Sequence, residues 1–559
     1  MKNSIFFVLF SALIGTSCSN DDDQSNTTNP YQSDKDFEVF FAQTHVLHPN
    51  DPTFILIGEK ETLLKAQITS SSEEDSPNVN AVLTLGSNSI TIPLNGPATL
   101  PAQIDLRPGI VEHKYDDSFT GIIPKDWMKP GLKIAIEAGE KTVSYNDLKI
   151  GAPNKIIMTM FDINYFQASP GDYPVGWKEE LEAKWPVSEI NLRRVPNIIF
   201  EELTIPPRGN LVAARASSKE DYQNITGGNF DGEQAAASQW NGALKAAAGT
   251  RGRISLFYVN IYGVSAGGQA GGFGGVGNGK SIGILNHELG HAFSLPHWGD
   301  NQNYPYKGDL FGIPSPDSYN KTHAGPVWAF DIPTKNFIPP TVQPNSVGGT
   351  PGVYKKDPMQ GGGTGNQEEG FLMNHFSDYS VNQMKNYLEG HIVIWNETLG
   401  EYASWDTTTD DYSNIQNNNG VQFPLERDVE VISVMAGVSS VTPQANIAYK
   451  PIGPYTSSLI EVFDPNIEAD RIRAADTFCP NNGCDVSVRV TQGGETKVYM
   501  LAMDLDDSID PLDAKSFQTR AVNLRASDGA VTKVEVLLTP DAEINGLPDS
   551  PLILNSWNN

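Results

Sequence analysis

The sequence is poor in basic residues. Its 559 residues contain 39 lysines and arginines against 67 aspartates and glutamates, which gives a formal charge of −28 at pH 7. Nucleic-acid binding needs clustered cations at the phosphates, and an anionic lipid surface attracts basic segments. The composition therefore excludes a nucleic-acid-binding protein, and we expect no adhesion of the protein body to anionic lipid.

Cysteine is scarce as well. Of the three cysteines, Cys479 and Cys484 enclose the turn-forming residues Pro-Asn-Asn-Gly, which predicts a small disulfide loop in an exported protein. A zinc-binding pair is the alternative, but no second cysteine or histidine pair lies nearby to complete four ligands.

Long apolar runs are missing too. The apolar core at residues 5–14 is shorter than the roughly 20 residues of a membrane span, and it lies between Lys2 and a row of small residues. Residues 1–17 are therefore predicted to be a signal peptide. Because Cys18 follows directly, the segment resembles a bacterial lipobox, which implies a lipoprotein acylated at Cys18. An ordinary cleaved signal with an incidental cysteine is the alternative.

The residues after Cys18 support the lipoprotein interpretation. Residues 18–35 begin with a run of aspartates and are predicted to be an acidic flexible tether. This arrangement is similar to that of Bacteroidota surface lipoproteins. The similarity implies an outer-membrane lipoprotein exposed on the cell surface, whose only membrane contact is the lipid at Cys18.

The remaining chain divides into three regions by pattern, and no repeat of 20–50 residues is visible. Residues 36–150 show short apolar runs between turns, which predicts a β-sandwich. In residues 151–395 strands alternate with helices, and residues 396–559 return to short strands. The predicted fold class is therefore multidomain α+β.

Within the central region the patterns predict individual elements. Strands are expected at 155–166, 197–205 and 254–262, and helices at 177–192, 233–248 and 281–295. The glycine-rich segment Gly267–Gly279 is interpreted as a flexible rim that lets a substrate backbone come close, or as a mobile surface loop.

One motif carries chemistry. Residues 287–297 read HELGHAFSLPH, and two histidines four positions apart lie on one face of a helix. His287 and His291 can therefore bind one zinc ion, while Glu288 beside them is placed to take a proton from the attacking water. His297 is the predicted third ligand, because Pro296 stops the helix and lets the chain turn back. Three protein ligands leave a fourth position open, which is typical of a catalytic site.

Two other interpretations of this motif remain. The histidines could be solvated residues of an ordinary helix, or the site could bind zinc and have lost turnover.

The spacing HExxHxxxxxH resembles the metzincin clan. That resemblance implies a methionine turn beneath the zinc site, and Met359, in a Gly/Pro-rich turn, is the candidate. A core or loop methionine without this role is the alternative. The clan usually has glycine at the position of Ser294, where the backbone turns sharply, and a serine with positive φ costs about 1 kcal/mol there.

Further segments narrow the resemblance. The residues FAQTHV at 41–46, GAPN at 151–154, FIP at 337–339 and Tyr379-Ser380 occur in the same order as in StcE/TagA-like secreted metallopeptidases. That family cleaves mucins and mucin-like O-glycosylated proteins. The resemblance covers about residues 38–410, and it implies a β-sandwich, a metzincin domain and a further β module.

Four further side chains are candidates for roles at the site. Tyr379 follows the methionine turn, where metzincins often place a tyrosine that stabilises the oxyanion. His375 could stabilise the oxyanion instead. The alternative for Tyr379 is packing in the core. Trp298 and Trp328 are candidates for stacking on sugar faces or for burial in the core.

The sequence as a whole predicts a monomeric, surface-anchored zinc endopeptidase with one catalytic ion. Its expected partners are protein substrates, with mucin-type glycoproteins expected first because of the resemblance. The alternative is a mucin- or glycan-binding surface lipoprotein with a catalytically silent zinc site. The presence of Glu288 favours the enzyme, because a pure binder needs no base.

Overall fold

The computed structural model describes residues 37–559 except for the segments 71–74, 103–110, 170, 229–231, 250–252, 264–266, 280, 300, 318, 361–365, 416–421 and 480–482. The predicted signal peptide, the tether and Cys18 lie outside the described residues. Within the described ranges, every helix is too short or too polar to cross a membrane.

The first part of the described chain consists of strands. They are β1 (Phe37–Ala42), β2 (Val46–Leu47), β3 (Leu56–Ile57), β4 (Thr62–Ile68), β5 (Val79–Leu85), β6 (Asn88–Leu94), β7 (Phe119–Ile123), β8 (Lys133–Ala138), β9 (Lys141–Tyr145) and β10 (Ile150–Gly151). Two antiparallel sheets form, in the orders β2-β1-β4-β7 and β6-β5-β8-β9. Because side chains alternate along a strand, one face of each sheet is apolar, and the two faces share one core.

The central part combines strands with helices. Its strands are β11 (Ile156–Tyr165), β12 (Ile190–Phe200), β13 (Leu203–Ile205), β14 (Ala214–Ala216), β15 (Ser255–Tyr262), β16 (Gly268–Ala270), β17 (Gly274–Asn278), β18 (Ala329–Asp331), β19 (Asn336–Ile338) and β20 (Val393–Asn396). Its helices are α1 (Trp177–Lys184), α2 (Lys219–Thr226), α3 (Gly232–Ala247), α4 (Ile282–Ala292) and α5 (Asp378–His391).

A five-stranded sheet in the order β12-β11-β15-β17-β16 organises this part. Its first four strands are parallel, and β16 is antiparallel at the edge. The strands β11 and β15 are apolar and almost completely buried, since helices cover both faces of the sheet. Helix α3 packs on one face, and helices α1, α4 and α5 share the core on the other.

Four local predictions differ from the structure. The helix expected over 281–295 is α4, which ends at Ala292, because Ser294 takes a positive φ and the chain reverses before Pro296. The helix expected over 177–192 ends at Lys184, because Pro186 cannot continue it and β12 already begins at Ile190. The strand expected over 197–205 is the end of β12 followed by the short β13. The glycine-rich segment, which we expected to be a flexible or mobile loop, forms the hairpin of β16 and β17, since glycines let these strands pack closely on neighbouring side chains.

The last part of the chain is mostly β. Its strands are β21 (Glu401–Asp406), β22 (Asp411–Asn414), β23 (Glu426–Val438), β24 (Ile447–Ala448), β25 (Ile452–Leu459), β26 (Val486–Gln492), β27 (Glu495–Leu501), β28 (Gln518–Arg525), β29 (Val531–Leu538) and β30 (Leu552–Asn558). Helices α6 (Glu468–Thr477) and α7 (Ala542–Asn545) accompany them, and a disulfide joins Cys479 and Cys484.

The three parts pack closely against one another. The side chain of Lys60 is buried and donates hydrogen bonds to the carbonyls of Glu182 (2.6 Å) and Val187 (2.8 Å), at the C-terminal end of α1. Farther along, α3 shares a core with residues of β23 and β25. The structure is therefore multidomain, mostly β and consistent with α+β, while the predicted limits at residues 150 and 395 stay predictions.

Replacing Lys60 with methionine tests the joint between the first two parts. The change leaves buried carbonyl groups at the end of α1 without a donor, and we expect a loss of about 2–3 kcal/mol in the free energy of unfolding. The measurement is urea-induced unfolding. Lys155→Met is the control, since Lys155 pairs with Glu59 at the surface and should contribute less than about 1 kcal/mol. Equal unfolding midpoints for the two variants would contradict the role of Lys60.

Candidate metal centre

Helix α4 carries the histidine motif, and both of its ends are capped. The hydroxyl of Ser281 accepts a hydrogen bond from the amide of Ile284 (3.3 Å) at the N-terminus. At the C-terminus, Ser294 has φ +72°, its amide donates to the carbonyl of His291 (2.9 Å), and the amide of Leu295 donates to that of Gly290 (3.0 Å). This is a Schellman motif, and it confirms the positive φ expected at Ser294.

The reversal brings His297 back to the helix. Its Nε2 atom lies 3.2 Å from Nε2 of His287 and 3.1 Å from Nε2 of His291. Three nitrogens bound to one zinc at 2.0–2.1 Å in a tetrahedral site would be about 3.3 Å apart. The spacing therefore fits a single metal ion.

The protonation of the rings supports the same conclusion. Nδ1 of His287 lies 2.7 Å from the carbonyl of Pro358, and Nδ1 of His291 lies 2.7 Å from the carbonyl of Leu295. Since a carbonyl only accepts, both Nδ1 atoms carry hydrogen and both Nε2 atoms present lone pairs. Burial lowers the pKa of His287 to about 4, so this ring is neutral near pH 7. The donor set therefore matches the needs of a divalent cation.

Glu288 follows the first ligand on α4, and its side chain is buried. Burial raises the pKa of this carboxyl to about 7. The backbone of β16 passes directly over it at Gly268, where a Cβ atom would overlap the Glu288 carboxylate. A carboxyl whose pKa lies near the working pH is suited to accept and return a proton.

A turn of the chain lies against α4 and holds the first ligand. It contains Pro358, whose carbonyl orients His287, and Met359, which is fully buried. The sulfur of Met359 lies so close to Gly290 that a Cβ atom there would overlap it. Met359, the candidate for the methionine turn, thus lies against the helix that carries His287 and His291.

The two candidate oxyanion residues lie in different surroundings. Tyr379 is half-buried near the start of α5, and its ring contacts Trp298, with the ring centres 5.5 Å apart. His375 is buried and lies 2.8 Å from Glu368, which also pairs with the buried Lys184. No contact among the described residues joins His375 to the three metal-site histidines.

Trp298 is not available to a sugar. It is 2% exposed and stacks on Tyr304, with the ring centres 4.7 Å apart and the planes 9° apart. The core alternative is therefore correct for this residue. Trp328 is partly buried against the cluster around Phe330.

Sequence reasoning missed the groups that orient the ligands. Two of them are main-chain carbonyls, of Pro358 and Leu295, and a carbonyl has no residue-type signal. Gly268 was noticed only as part of a glycine-rich segment, and nothing in the sequence links it to Glu288.

A family model described as Peptidase M66 matches residues 112–393, which is half of the chain. The chain belongs to the peptidase M66 family.

Several relatives of this M66 peptidase are similar over most of its length. The dictomallein of Burkholderia pseudomallei strain 1710b is 27% identical over 512 residues, which cover 79% of this chain and 71% of that protein. Dictomallein-2 of Dictyostelium discoideum is 27% identical over 598 residues, with 93% of this chain and 95% of that protein covered. The expectation of a peptidase from a metallopeptidase family is confirmed.

The contact between Gly290 and Met359 gives a prediction. In Gly290→Ala the new methyl group overlaps the buried sulfur, and we expect a loss of about 1–3 kcal/mol in the free energy of unfolding, together with weaker metal binding. Gly283→Ala on the same helix is the matched control. A Cβ atom at Gly283 meets nothing within 4 Å, so this change should be neutral or stabilise by up to about 1 kcal/mol. Two variants of equal stability would contradict the close contact.

The pKa of His287 gives a second prediction. In the metal-free protein the His287 ring should stay neutral at about pH 6 and gain a proton only as the pH falls through about 4. The titration of this ring is measured by NMR on the metal-free protein, and circular dichroism shows whether the chain stays folded. Protonation of His287 already near the ordinary histidine pKa of about 6.5 would contradict the effect of burial.

Proposed function

We propose that this protein is a zinc-dependent endopeptidase of the metzincin type. It hydrolyses peptide bonds in extracellular proteins, with mucin-like O-glycosylated proteins as the first substrate class. The observation that carries the proposal is the position of His297 Nε2, 3.2 Å from Nε2 of His287 and 3.1 Å from Nε2 of His291, next to the buried carboxyl of Glu288.

The choice of zinc follows from the ligand chemistry. Imidazole nitrogens in a tetrahedral arrangement suit zinc, whereas calcium and magnesium prefer oxygen ligands. His287, His291 and His297 would hold the ion, and the fourth position would stay open. When bound, the metal would polarise the scissile carbonyl and make the attacking water more acidic.

Two side chains of the protein act on the substrate in this proposal. Glu288 takes a proton from the attacking water and passes it to the leaving amine, and the burial that raises its pKa to about 7 suits both steps. Tyr379 is proposed to stabilise the developing oxyanion, supported by its half-buried position against Trp298, which follows the third ligand. The edge strand β16, beside Glu288, supports binding of an extended polypeptide by main-chain hydrogen bonds.

The substrate class and the location rest on resemblance. The motifs shared with StcE/TagA-like peptidases support glycoprotein substrates. The lipobox-like residues before Cys18 support a lipoprotein, and the acidic run after Cys18, similar to that of Bacteroidota surface lipoproteins, supports a place on the cell surface. Anchoring by lipid at Cys18 leaves the acidic protein body away from the membrane.

The test uses the purified protein with an O-glycosylated mucin and with unglycosylated casein, each with and without a chelator. New fragments from mucin alone, abolished by the chelator, support the full proposal. Cleavage of both proteins keeps the endopeptidase and removes the glycan preference. Cleavage of neither, with one zinc per chain and retention on immobilised mucin, favours the alternative of a binding lipoprotein.

The role of Glu288 is tested separately. Glu288→Gln keeps the shape of the side chain but cannot accept the proton, so turnover should fall by orders of magnitude while the zinc content stays at that of the wild type. The control is Glu61→Gln, a change at an exposed position of the first part of the chain, which should cleave normally. Near-normal turnover in Glu288→Gln would show that another group is the base.

A further inference from the structure

The third ligand is held differently from the other two. His287 and His291 lie on α4, and each has its Nδ1 atom against a main-chain carbonyl. His297 lies beyond the end of the helix and is exposed, and the structure shows no partner for its Nδ1 atom among the described residues. The position of His297 therefore depends on the main chain that carries it.

That main chain is fixed at the next residue, Trp298. Its amide donates to the carbonyl of Met359 (3.0 Å), and its indole Nε1 donates to the hydroxyl of Ser380 (2.8 Å). The ring itself is buried and stacked on Tyr304. Two directed hydrogen bonds and a stacked ring leave this residue little freedom to move.

Both partners of Trp298 are organised by one carboxylate, Asp357. Its Oδ2 atom accepts a hydrogen bond from the hydroxyl of Ser380 (2.7 Å) and one from the amide of Ser377 (2.8 Å). Its Oδ1 atom accepts from the amide of Met359 (2.8 Å). Asp357 and Ser380 are both fully buried, so these hydrogen bonds do not compete with water.

We propose that Asp357, Ser380 and Trp298 are positioning residues that place the third metal ligand, His297, opposite His287 and His291. The inference rests on the proposed zinc site. Asp357 accepts hydrogen bonds from Ser377 and Ser380, at the start of α5, and from Met359 in the methionine turn. Ser380 in turn accepts a hydrogen bond from Trp298. The same turn presents the Pro358 carbonyl to His287, so one buried unit sets the first and third ligands together.

A purely structural role would give a different result. If these hydrogen bonds only stabilised the fold, their loss would lower stability without changing the affinity of the folded protein for metal. A preorganised ligand set, by contrast, loses affinity when one ligand can move.

The experiment compares Ser380→Ala and Trp298→Phe with the matched control Trp185→Phe. Trp298→Phe keeps an aromatic ring and removes the indole donor. Trp185 is also fully buried, and its Nε1 donates to Asn286 on α4 (3.0 Å), so its replacement removes an equivalent hydrogen bond that does not lead to His297. The dissociation constant for zinc is measured by competition with a chromophoric chelator, the visible spectrum of the Co²⁺-substituted protein reports the ligand geometry, and thermal unfolding reports stability.

We expect Ser380→Ala and Trp298→Phe to bind zinc roughly 10- to 100-fold more weakly than the wild type, with an altered Co²⁺ spectrum. Trp185→Phe should bind zinc with an affinity within about twofold of the wild type, even if its thermal stability falls as much as that of the two test variants. Unchanged zinc affinity and Co²⁺ spectra in both test variants would overturn the inference.

His297→Ala separates this inference from the proposed function. A wild-type protein that binds no zinc would overturn both. The other case is that the wild type binds one zinc ion and His297→Ala loses it, while Ser380→Ala and Trp298→Phe keep the zinc affinity of the wild type. The metal site then stands, and only the positioning role is overturned.

Discussion

The contact between helix α4 and the turn at Pro358–Met359 is the constraint on which the metal site depends. A helix places two imidazoles on one face, but it does not determine how that face is turned relative to the rest of the protein. The carbonyl of Pro358 at His287 and the sulfur of Met359 against Gly290 determine both the rotation and the depth of α4. Because the carbonyl accepts from Nδ1, the same contact also directs a lone pair of the ring toward the other ligands.

Burial acts on the two kinds of titratable group at this site in opposite directions. It raises the pKa of Glu288 to about 7 and lowers that of His287 to about 4, because in each case it disfavours the charged form. The neutral ring of His287 therefore presents a lone pair to a cation near pH 7. The carboxyl beside them has a proton affinity close to that required of a general base near pH 7.

The N-terminal sheets support the centre from outside. Lys60 binds the end of α1, and the hydroxyl of Thr53 donates to Asp378 at the start of α5 (3.0 Å). The segment Gly151–Asn154, just after the predicted limit at residue 150, is buried, and the amide of Ala152 donates to Glu389 of α5 (2.9 Å). The match to the M66 family begins at residue 112, within these sheets. It therefore includes both residues of the contact between Ala152 and Glu389, whereas Thr53 and Lys60 lie before it.

The sequence by itself determined the local elements of the site. Ligand spacing on a helix follows from 3.6 residues per turn, and Pro296 predicts that the helix stops before the third histidine, so the three histidines and Glu288 could be proposed from residue types alone, although α4 already ends at Ala292. The short apolar runs between turns likewise predicted the β character of the first and last parts. Element ends were less predictable, as the early end of α1 shows.

Only the tertiary structure decided how the ligands are oriented. Main-chain carbonyls carry no residue-type signal, and Asp357 and Ser380 are 23 positions apart in the sequence although they share a hydrogen bond. The glycine-rich hairpin and the buried Trp298 were interpreted incorrectly or left open for the same reason. Whether a glycine forms a loop or a strand, and whether an indole faces water or the core, depends on what packs against it, and those partners come from distant parts of the chain.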